Sequence, residues 1–383
     1  MKSSLSNKFN EKFNASPEFF VKAPGRINII GEHTDYNDGF VLPAAIDKHI
    51  LFAVSESEED HYSVYSLDFD SMVQLPNEIE AISHNEAWIK YIESTLVQLK
   101  LRSYVSKPFK IAFSGDIPLG GGMSSSAALC CGLLFCLNEI NDWSLTRKQM
   151  AMIAQATEHG VGMNCGIMDQ YISLFGRKDE VMLLDCRSLN TQYFQLDLGD
   201  YRVCLINSMQ KHEFSTDSEY NNRRDSCERV VKKIKEKDQN VLALRDITLN
   251  QLLSIQSEVD ATDYQRSLYV IEENKRVHEM TAALKNGDMN KVGKLLKDSH
   301  AGMRDLYKIT TPEIDFLVDF VNSAEGAIGA RMMGGGFGGC TINIIHKDHL
   351  KHCTDELYKA YKDKFNRSLE VYKLSIEDGV NVV

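Results

Sequence analysis

The chain has 383 residues, of which 43% are apolar and 25% are charged, a composition typical of a soluble globular protein. Acidic residues exceed basic ones by 54 to 43, and the net charge of −11 argues against nucleic acid or an anionic membrane as a partner. The N-terminal residues are polar and no later run approaches the ~20 apolar residues of a membrane span, so we expect a cytoplasmic protein with neither signal nor anchor. A chain of this length also predicts two domains that share a cleft.

Apolar periodicity predicts a first half in which short strands and helices alternate. Residues 18–75 are typical of strands joined by turns, and a strand at 109–113 leads into a glycine-rich loop. Further strands are predicted at 181–184 and 202–207. The predicted helices of this half span residues 86–101, 124–138 and 147–159.

The second half has a different character, because long charged helices replace the short strands. These helices are predicted over residues 225–237, 263–285 and 289–303. A glycine-rich hairpin, Gly334 to Gly339, then returns the chain to a strand over 340–345. We place the domain boundary between the two halves, which gives domains of residues 1–195 and 196–383.

A short polar segment after the first predicted strands carries the densest group of candidate site residues. Residues Gly25 to Gly39 read GRINIIGEHTDYNDG, in which Arg26 belongs to a strand and Gly31 begins a turn. Loops at strand ends are where sites sit, although a solvated turn that caps the next element would show the same residue types. The flanking apolar segments favour a rigid loop that binds hydroxyl groups. Its candidate side chains are Glu32, His33, Thr34 and Asp35.

A second segment places glycines before a cluster of serines at the start of a predicted helix. Gly120 to Gly122 and Met123 precede Ser124, Ser125 and Ser126. Glycines let backbone amides approach a ligand and a helix N-terminus offers N–H groups and a positive dipole, so phosphate is the expected guest. One serine would suffice to cap a helix, whereas three favour a ligand. No lysine follows the last glycine as in a Walker A loop, and the protein-kinase motifs are absent.

Two carboxylates flank a glycine-containing turn in a third segment. Residues Glu158 to Asp169 read EHGVGMNCGIMD, with Glu158 at the end of a predicted helix and Asp169 beyond the turn. Either one could be a structural carboxylate at a helix end. A phosphoryl-transfer site would give them separate tasks, because magnesium needs hard oxygen ligands such as Glu158 and the hydroxyl of Ser126. Asp169 would then be free to accept a proton or to orient the attacking hydroxyl.

Two later segments are weaker signals on their own. Residues 207–224 read as a loop that enters a helix, with Arg223 and Arg224 in solvent and Tyr220 shortly before them. The glycine run from Gly334 to Gly339 is one that any flexible hairpin would share.

Taken in chain order, these segments resemble the motifs of the galactokinases, which belong to the GHMP kinases. The match runs from Gly25 to Cys340 and covers nearly the whole chain. The resemblance implies an α/β fold of the α+β type with two domains. The N-terminal domain would be ribosomal-protein-S5-domain-2-like and the C-terminal domain ferredoxin-like, with the active site between them. It also implies that the glycine hairpin packs close to the segment from Gly120 to Ser126, the phosphate loop.

The resemblance further implies an activity, which is the MgATP-dependent phosphorylation of D-galactose at O1. We expect the enzyme to be a monomer. Asp169 would be the catalytic base, with Arg26 beside it to stabilise the developing alkoxide. Glu158 and Ser126 would hold Mg²⁺. Sugar contacts are implied for Glu32, His33, Thr34, Asp35, Gly166 and Tyr220. ATP contacts are implied for Gly120, Gly121, Gly122, Met123, Ser124, Ser125, Ser126, Ser66 and Trp88.

Departures from the family pattern are small and touch no implied catalytic group. Asp38 stands where glycine is common, Met123 replaces a usual leucine, and Tyr269 lies where a histidine is common. Two other functions stay open. An N-acetylgalactosamine kinase would need a roomier pocket at C2 of the sugar, which the sequence does not measure. A non-catalytic sensor of galactose and ATP would lack part of the segment after the serines, and here Ser124 to Ala128 is intact.

Overall fold

The computed structural model describes residues 1–118, 120–210 and 216–383, with the backbone alone for 216–218. Position 119, next to the predicted phosphate loop, and residues 211–215, before Tyr220, lie outside the described residues. The strands are β1 (Phe19–Asn28), β2 (Phe40–Val41), β3 (Pro43–Glu56), β4 (His61–Ser66), β5 (Ser71–Pro76), β6 (Phe109–Gly115), β7 (Glu180–Asp185), β8 (Thr191–Gln195), β9 (Tyr201–Asn207), β10 (Ala327–Met332), β11 (Cys340–His346), β12 (Glu370–Lys373) and β13 (Asn381–Val382). The helices are α1 (Lys2–Phe13), α2 (Ala87–Lys100), α3 (Ser125–Asn141), α4 (Arg147–Gly160), α5 (Met168–Phe175), α6 (Thr216–Lys235), α7 (Leu249–Ser254), α8 (Ala261–Lys285), α9 (Met289–Gly302), α10 (Pro312–Ser323) and α11 (Lys347–Phe365).

A six-stranded sheet with the strand order β13-β1-β3-β6-β4-β5 organises the first half of the molecule. Its strands pair antiparallel except for β4 with β6. Helices α2 to α5 pack against one another, and α3 and α5 also contact β1 and β3. Helix α3 is apolar and buried along most of its length, as expected of a helix enclosed by a sheet and other helices. The largest core cluster joins these two layers.

A β-bulge in β1 positions Arg26 beside the predicted phosphate loop. The pairing of β1 with β3 shifts between Pro24 and Arg26, and bulges of this kind redirect side chains next to sites. A Cβ atom at Gly25 would lie only 2.7 Å from the carbonyl oxygen of Met123, so glycine allows the strand to run against the loop. The Arg26 N–H donates to that same oxygen at 3.2 Å.

A four-stranded antiparallel sheet, with the order β10-β11-β9-β12, organises the second half. Helices α9 and α10 pack on β10, α11 packs on β11 and β9, and α8 lies against α6 and α9. A second core cluster lies between this sheet and its helices. Among the described residues, none of the helices combines the length and the apolar character that a membrane crossing requires.

The last strand returns the chain to the first sheet. β13 pairs with β1, with Val382 opposite Val21, and Ile376 forms an isolated bridge to Ile46. The Nη2 atom of Arg147 holds the same tail by donating to the carbonyl oxygen of Val380 at 2.8 Å. The domain boundary between residues 195 and 196 stays a prediction, and strands from both sides of it make up the first sheet.

Several helices differ from the sequence expectations. The polar N-terminal residues were assigned no element, yet they form α1, because Leu5, Phe9 and Phe13 share one face and pack in a small cluster with residues of β3, β4 and β6. Helix α6 begins at Thr216 rather than near residue 225, and α5, α7, α10 and α11 were not predicted.

Candidate active site

A cleft between the two halves gathers most of the residues predicted for the site. It has a volume of about 320 Å³. Its lining residues come from β1 and the loop after it, the start of α3, the end of α4, the turn before α5, α6 and the glycine hairpin. The predicted residues that line it are Arg26, Glu32, His33, Asp35, Gly120, Gly122, Met123, Ser124, Ser125, Ser126, Glu158, Gly166, Asp169 and Tyr220.

A bidentate ion pair joins an arginine of β1 to an aspartate of α5. The Nε and Nη2 atoms of Arg26 donate to Oδ1 and Oδ2 of Asp169 at 2.7 and 3.0 Å. Its Nη1 atom donates to the carbonyl oxygen of Gly122 at 2.5 Å, which ties the pair to the phosphate loop. Burial opposes the charge of Arg26, but the carboxylates of Asp169 and Glu32 outweigh it and raise the pKa of Arg26. The planar fork therefore holds the Asp169 carboxylate in one orientation.

The first serine of the cluster also bonds to this carboxylate. The Ser124 hydroxyl donates to Oδ2 of Asp169 and makes no capping bond to α3, which begins at the next residue. Ser125 and Ser126 lie in the first turn of α3 and line the cleft. The serines therefore do not form a uniform set of phosphate ligands.

A second aspartate faces a glycine across the cleft. A Cβ atom at position 166 would overlap the carboxylate of Asp35, so only glycine permits this approach. Burial raises the pKa of Asp35 to about 6, and the charge of Asp169 adds to this effect, whereas backbone hydrogen bonds from Tyr36 and Met168 oppose it. Asp35 is therefore ionised above about pH 6 but incompletely compensated, which suits it to accept a hydrogen bond from a hydroxyl group.

A fully buried arginine, which the sequence analysis did not assign, holds Glu32. The Nη1 and Nη2 atoms of Arg331 each donate to Oε1 of Glu32 at 3.1 Å, and the Gly334 N–H donates to the same atom at 3.0 Å. The other donors of Arg331 reach backbone carbonyl oxygens of Asn28, Ile29 and Met332. The sequence signal is an arginine inside the apolar strand β10, since a buried charge is expected to be paired.

The two ring nitrogens of His33 are both within hydrogen-bond distance of protein groups. Nε2 lies 3.2 Å from the carbonyl oxygen of Gly335 and Nδ1 lies 2.7 Å from the hydroxyl of Tyr36. A carbonyl can only accept, so Nε2 carries the proton and Nδ1 accepts from Tyr36, whose oxygen lies 2.7 Å from the Tyr307 hydroxyl. Burial lowers the pKa of His33 to about 3, which makes the ring neutral. His33 thus links the polar loop to the glycine hairpin.

Glu158 is a buried carboxylate with one oxygen left without a partner. Its Oε2 accepts from the thiol of Cys165 at 3.4 Å, whereas Oε1 has no hydrogen-bond partner. Burial raises the pKa of Glu158 to about 7, with the charge of Asp169 as the next cause, and the Cys165 thiol and the nearby Ser126 hydroxyl oppose the shift. An orphaned carboxylate oxygen beside a serine hydroxyl has the donor chemistry of a site for a hard divalent cation.

The glycine hairpin packs on the phosphate loop as the resemblance implied. A Cβ atom at Gly334 would lie 3.2 Å from the carbonyl oxygen of Gly122, and one at Gly339 would lie 3.4 Å from that of Gly120. The two backbones approach without intervening side chains, which leaves the loop's amide groups as the polar surface at that end of the cleft.

Four predicted contacts do not line the cleft, and one expectation of exposure is wrong. The Thr34 hydroxyl lies 2.8 and 2.7 Å from the carbonyl oxygens of Gly31 and Phe40, so it closes its own loop instead of facing the cleft. Ser66 lies opposite Phe113 in the pairing of β4 with β6. The ring of Trp88 packs against that of Phe113, with the ring centroids 5.5 Å apart. Gly121 also lies outside the lining. Arg223 was expected in solvent but is 4% exposed, because it donates to the carbonyl oxygen of Lys308 and stacks on Phe337.

Family models match three parts of the chain. A model described as the galactokinase galactose-binding signature matches residues 7–56, and models of the GHMP kinase N-terminal and C-terminal domains match residues 90–177 and 280–363. A galactokinase of Thermotoga petrophila is 39% identical over 364 residues, which cover 95% of this chain and 99% of that protein. The chain belongs to the galactokinase family.

Solved structures agree with this assignment to the galactokinase family. The crystal structure of Lactococcus lactis galactokinase complexed with galactose matches with a TM-score of 0.95 and 29% identity over 99% of both chains. Methanococcus jannaschii mevalonate kinase, at 18% identity, shares the fold with a TM-score of 0.64 over 94% of this chain and 98% of its own. The predicted GHMP kinase fold is therefore confirmed.

The three family models contain most of the residues that line the cleft, whereas Tyr220 lies between the second and third models. The galactose-binding signature contains Arg26, Glu32 and Asp35, and the N-terminal GHMP model contains the serine-rich loop and both Glu158 and Asp169. The C-terminal GHMP model contains the glycine hairpin. GHMP kinases use ATP, so the chain is a kinase whose phosphoryl donor is ATP.

Proposed function

We propose that this protein transfers the γ-phosphoryl group of MgATP to O1 of α-D-galactose and releases α-D-galactose 1-phosphate and ADP. The observation that carries the proposal is the Arg26–Asp169 pair, which lies between the serine-rich loop and the polar loop that holds Asp35. The curated relatives named galactokinase and the related structure with bound galactose support the choice of sugar.

Asp169 is the group that receives the proton of the attacking hydroxyl. It accepts that proton, or orients the hydroxyl, as the sugar oxygen attacks the γ-phosphorus and the bond to ADP breaks. Arg26 stabilises negative charge that develops on the sugar oxygen, because it lies buried against Asp169 in a fixed geometry. The reaction needs little covalent chemistry from the protein, so positioning and charge supply most of the rate.

The backbone from Gly120 to Ser126 would hold the triphosphate. The N–H groups at the start of α3 are free of helical partners and lie at the positive end of the helix dipole. The glycine hairpin closes this end of the cleft from the other half of the molecule. The assignment of Ser66 and Trp88 to ATP stays a prediction, since both lie beside Phe113 and outside the cleft lining.

Glu158 and Ser126 would hold Mg²⁺. The unpartnered Oε1 of Glu158 and the adjacent hydroxyl fit a cation that takes few protein ligands and several phosphate oxygens. When bound, Mg²⁺ would neutralise charge on the phosphate groups. The charge of a cation bound to ionised Glu158 would also offset the cost of burying that carboxylate.

We expect Glu158→Gln to raise the half-saturating Mg²⁺ concentration more than Ser126→Ala does, because a carboxylate carries a charge that a hydroxyl lacks. Magnesium titrations of turnover at saturating ATP measure both effects. Glu93→Gln is the control, since Glu93 is another buried carboxylate but bonds to Ser83 and His84 away from the cleft. Unchanged magnesium requirements in both test variants would return Glu158 and Ser126 to a structural role.

Sugar hydroxyls would be held by Glu32, Asp35, Tyr220 and the backbone at Gly166. Glu32 is fixed by Arg331, and Asp35 is fixed against Gly166, so both carboxylates are presented on rigid supports. His33 would act on the sugar only after its Nε2–H leaves the Gly335 carbonyl, and otherwise it orients the hairpin. Thr34 serves the loop itself.

We expect kcat/KM for galactose, at saturating MgATP, to fall as the pH drops through about 6. The pKa of Asp35 is raised to about 6, so the ionised form that accepts a hydrogen bond from a sugar hydroxyl is lost below that pH rather than below the ordinary pKa of an aspartate. Each further pH unit should cost about tenfold in kcat/KM through this group. The variant Asp35→Asn should bind galactose more weakly and lose this limb of the profile. A limb of the same midpoint in Asp35→Asn would assign it to another group.

An ADP-release assay across galactose, N-acetylgalactosamine, glucose, mevalonate and homoserine tests the proposed function. The expected result is turnover that is fastest with galactose. A preference for N-acetylgalactosamine would identify the related amino-sugar kinase, and binding of galactose and ATP without ADP release would identify a sensor. Either outcome would overturn the proposal. The monomeric state and the cytoplasmic location stay predictions.

A further inference from the structure

The residue just before α3 has an unusual backbone conformation. Ser124 has φ 60° and ψ 48°, the left-handed region that residues other than glycine, asparagine and aspartate seldom occupy. A serine at this position commonly caps the helix, but the Ser124 side chain makes no capping hydrogen bond. Strained backbone of this kind persists where the surrounding structure holds it, often at functional sites.

The hydroxyl of Ser124 forms its hydrogen bond with the neighbouring helix α5. It donates to Oδ2 of Asp169, the same oxygen that accepts from Nη2 of Arg26 at 3.0 Å. Of the donors on Arg26 and Ser124, only Nε of Arg26 donates to Oδ1 of Asp169. Each carboxylate oxygen has about two acceptor sites, so Oδ2 is saturated and Oδ1 retains one.

We propose that the hydroxyl of Ser124 positions the Asp169 carboxylate so that the attacking sugar hydroxyl is directed to Oδ1, and that this serine hydroxyl is not a phosphate ligand. The proposal rests on the proposed phosphoryl transfer to a sugar. Arg26 fixes the plane of the carboxylate, and Ser124 occupies the remaining acceptor site of Oδ2. Without the serine hydroxyl, two oxygens would compete for the substrate proton in different geometries, which lowers the fraction of bound complexes that are aligned for attack.

The two roles predict different kinetics. Loss of a phosphate ligand weakens ATP binding, whereas loss of a positioning group lowers kcat with ATP binding unchanged. For Ser124→Ala we expect kcat to fall by about tenfold, with the Kd of ATP within about twofold of the parent. Ser125→Ala is the matched comparison, because Ser125 lies in the same loop and lines the cleft, whereas the hydrogen bond to Asp169 comes from Ser124. It should raise the KM of ATP.

A double-mutant cycle with Asp169→Asn gives the decisive readout. If Ser124 acts through Asp169, Ser124→Ala should change the residual kcat of Asp169→Asn by less than about twofold. Ser125→Ala should lower activity by the same factor in both backgrounds. Ser124→Gly separates backbone from hydroxyl, since glycine adopts the left-handed conformation without strain. We expect it to keep or raise Tm while its kcat falls as in Ser124→Ala.

Three results would overturn the proposal: a full tenfold loss on adding Ser124→Ala to Asp169→Asn, a raised Kd of ATP with unchanged kcat, or parental kcat in Ser124→Gly. The cycle is run with whichever sugar of the panel the parent phosphorylates. Rejection of galactose would then refute the proposed substrate and leave the coupling measured. Absence of turnover with every sugar would refute both the proposed phosphoryl transfer and the positioning role of Ser124.

Discussion

Asp169→Asn should lower kcat by roughly 10²–10⁴, which corresponds to about 3–5 kcal/mol of barrier. The amide cannot accept the proton of the sugar hydroxyl, and its NH₂ group would face the guanidinium of Arg26, which donates to both carboxylate oxygens in the parent. Binding of galactose and of ATP should stay within a few-fold of the parent, because the loops that hold them are unchanged. Steady-state kinetics and calorimetric binding measure the two effects separately.

The control for this variant is Asp116→Asn. Asp116 precedes the phosphate loop but lies outside the cleft, where its carboxylate accepts from the His49 N–H at 2.8 Å and from Lys48 at 3.1 Å. Its kcat should stay within about twofold of the parent. The Tm of Asp169→Asn should be measured together with its kinetics, because the buried Arg26 loses its counter-ion in this variant. A folded Asp169→Asn enzyme with more than a tenth of the parental kcat would remove Asp169 from the role of base.

The second large effect concerns the choice between galactose and glucose, which differ only at C4. A buried carboxylate that accepts a hydrogen bond from the axial C4 hydroxyl is left without that partner when glucose binds, and such a loss is costly. Because glucose keeps an equatorial hydroxyl nearby, we expect a parental preference on the order of 10³ in kcat/KM. Asp35→Ala should damage turnover of galactose severely and narrow this preference at least about tenfold.

Gly166→Ala is the companion variant, because it displaces the Asp35 carboxylate without removing it. It should narrow the preference for galactose in the same direction as Asp35→Ala. The specificity constants for both sugars in the parent and the two variants decide the matter. An unchanged ratio in Asp35→Ala would mean that another group in the cleft reads C4.

The sequence could predict most of the cleft because its residues come in short contiguous segments. Asp35, Ser126 and Asp169 each stand in a run of glycines and polar residues that an ordinary core element would not contain. Arg331 escaped assignment because its partner, Glu32, is 299 positions away and only the tertiary fold brings them together. Thr34 shares a motif with Asp35, and only the path of the loop shows that its hydroxyl turns inward.

Secondary structure shows the same limit. Helix α1 has apolar residues only at Leu5, Phe9 and Phe13 on its packed face, within an otherwise polar segment, so its signal is easily taken for a loop. The left-handed conformation of Ser124 has no sequence signal at all, since serine is not a residue that such a backbone favours.

The return of the C-terminal tail to β1 also bears on the order in which the chain can fold. During synthesis the strands β1, β3 and β6 emerge early and can pair, but the outer edge of β1 stays open until residues 381–382 have left the ribosome. An open edge presents unpaired N–H and C=O groups that can recruit strands of other nascent chains. In a translation product that stops before residues 381–382, the rest of the sheet could assemble but the edge of β1 would stay unpaired. We therefore expect such a product to aggregate.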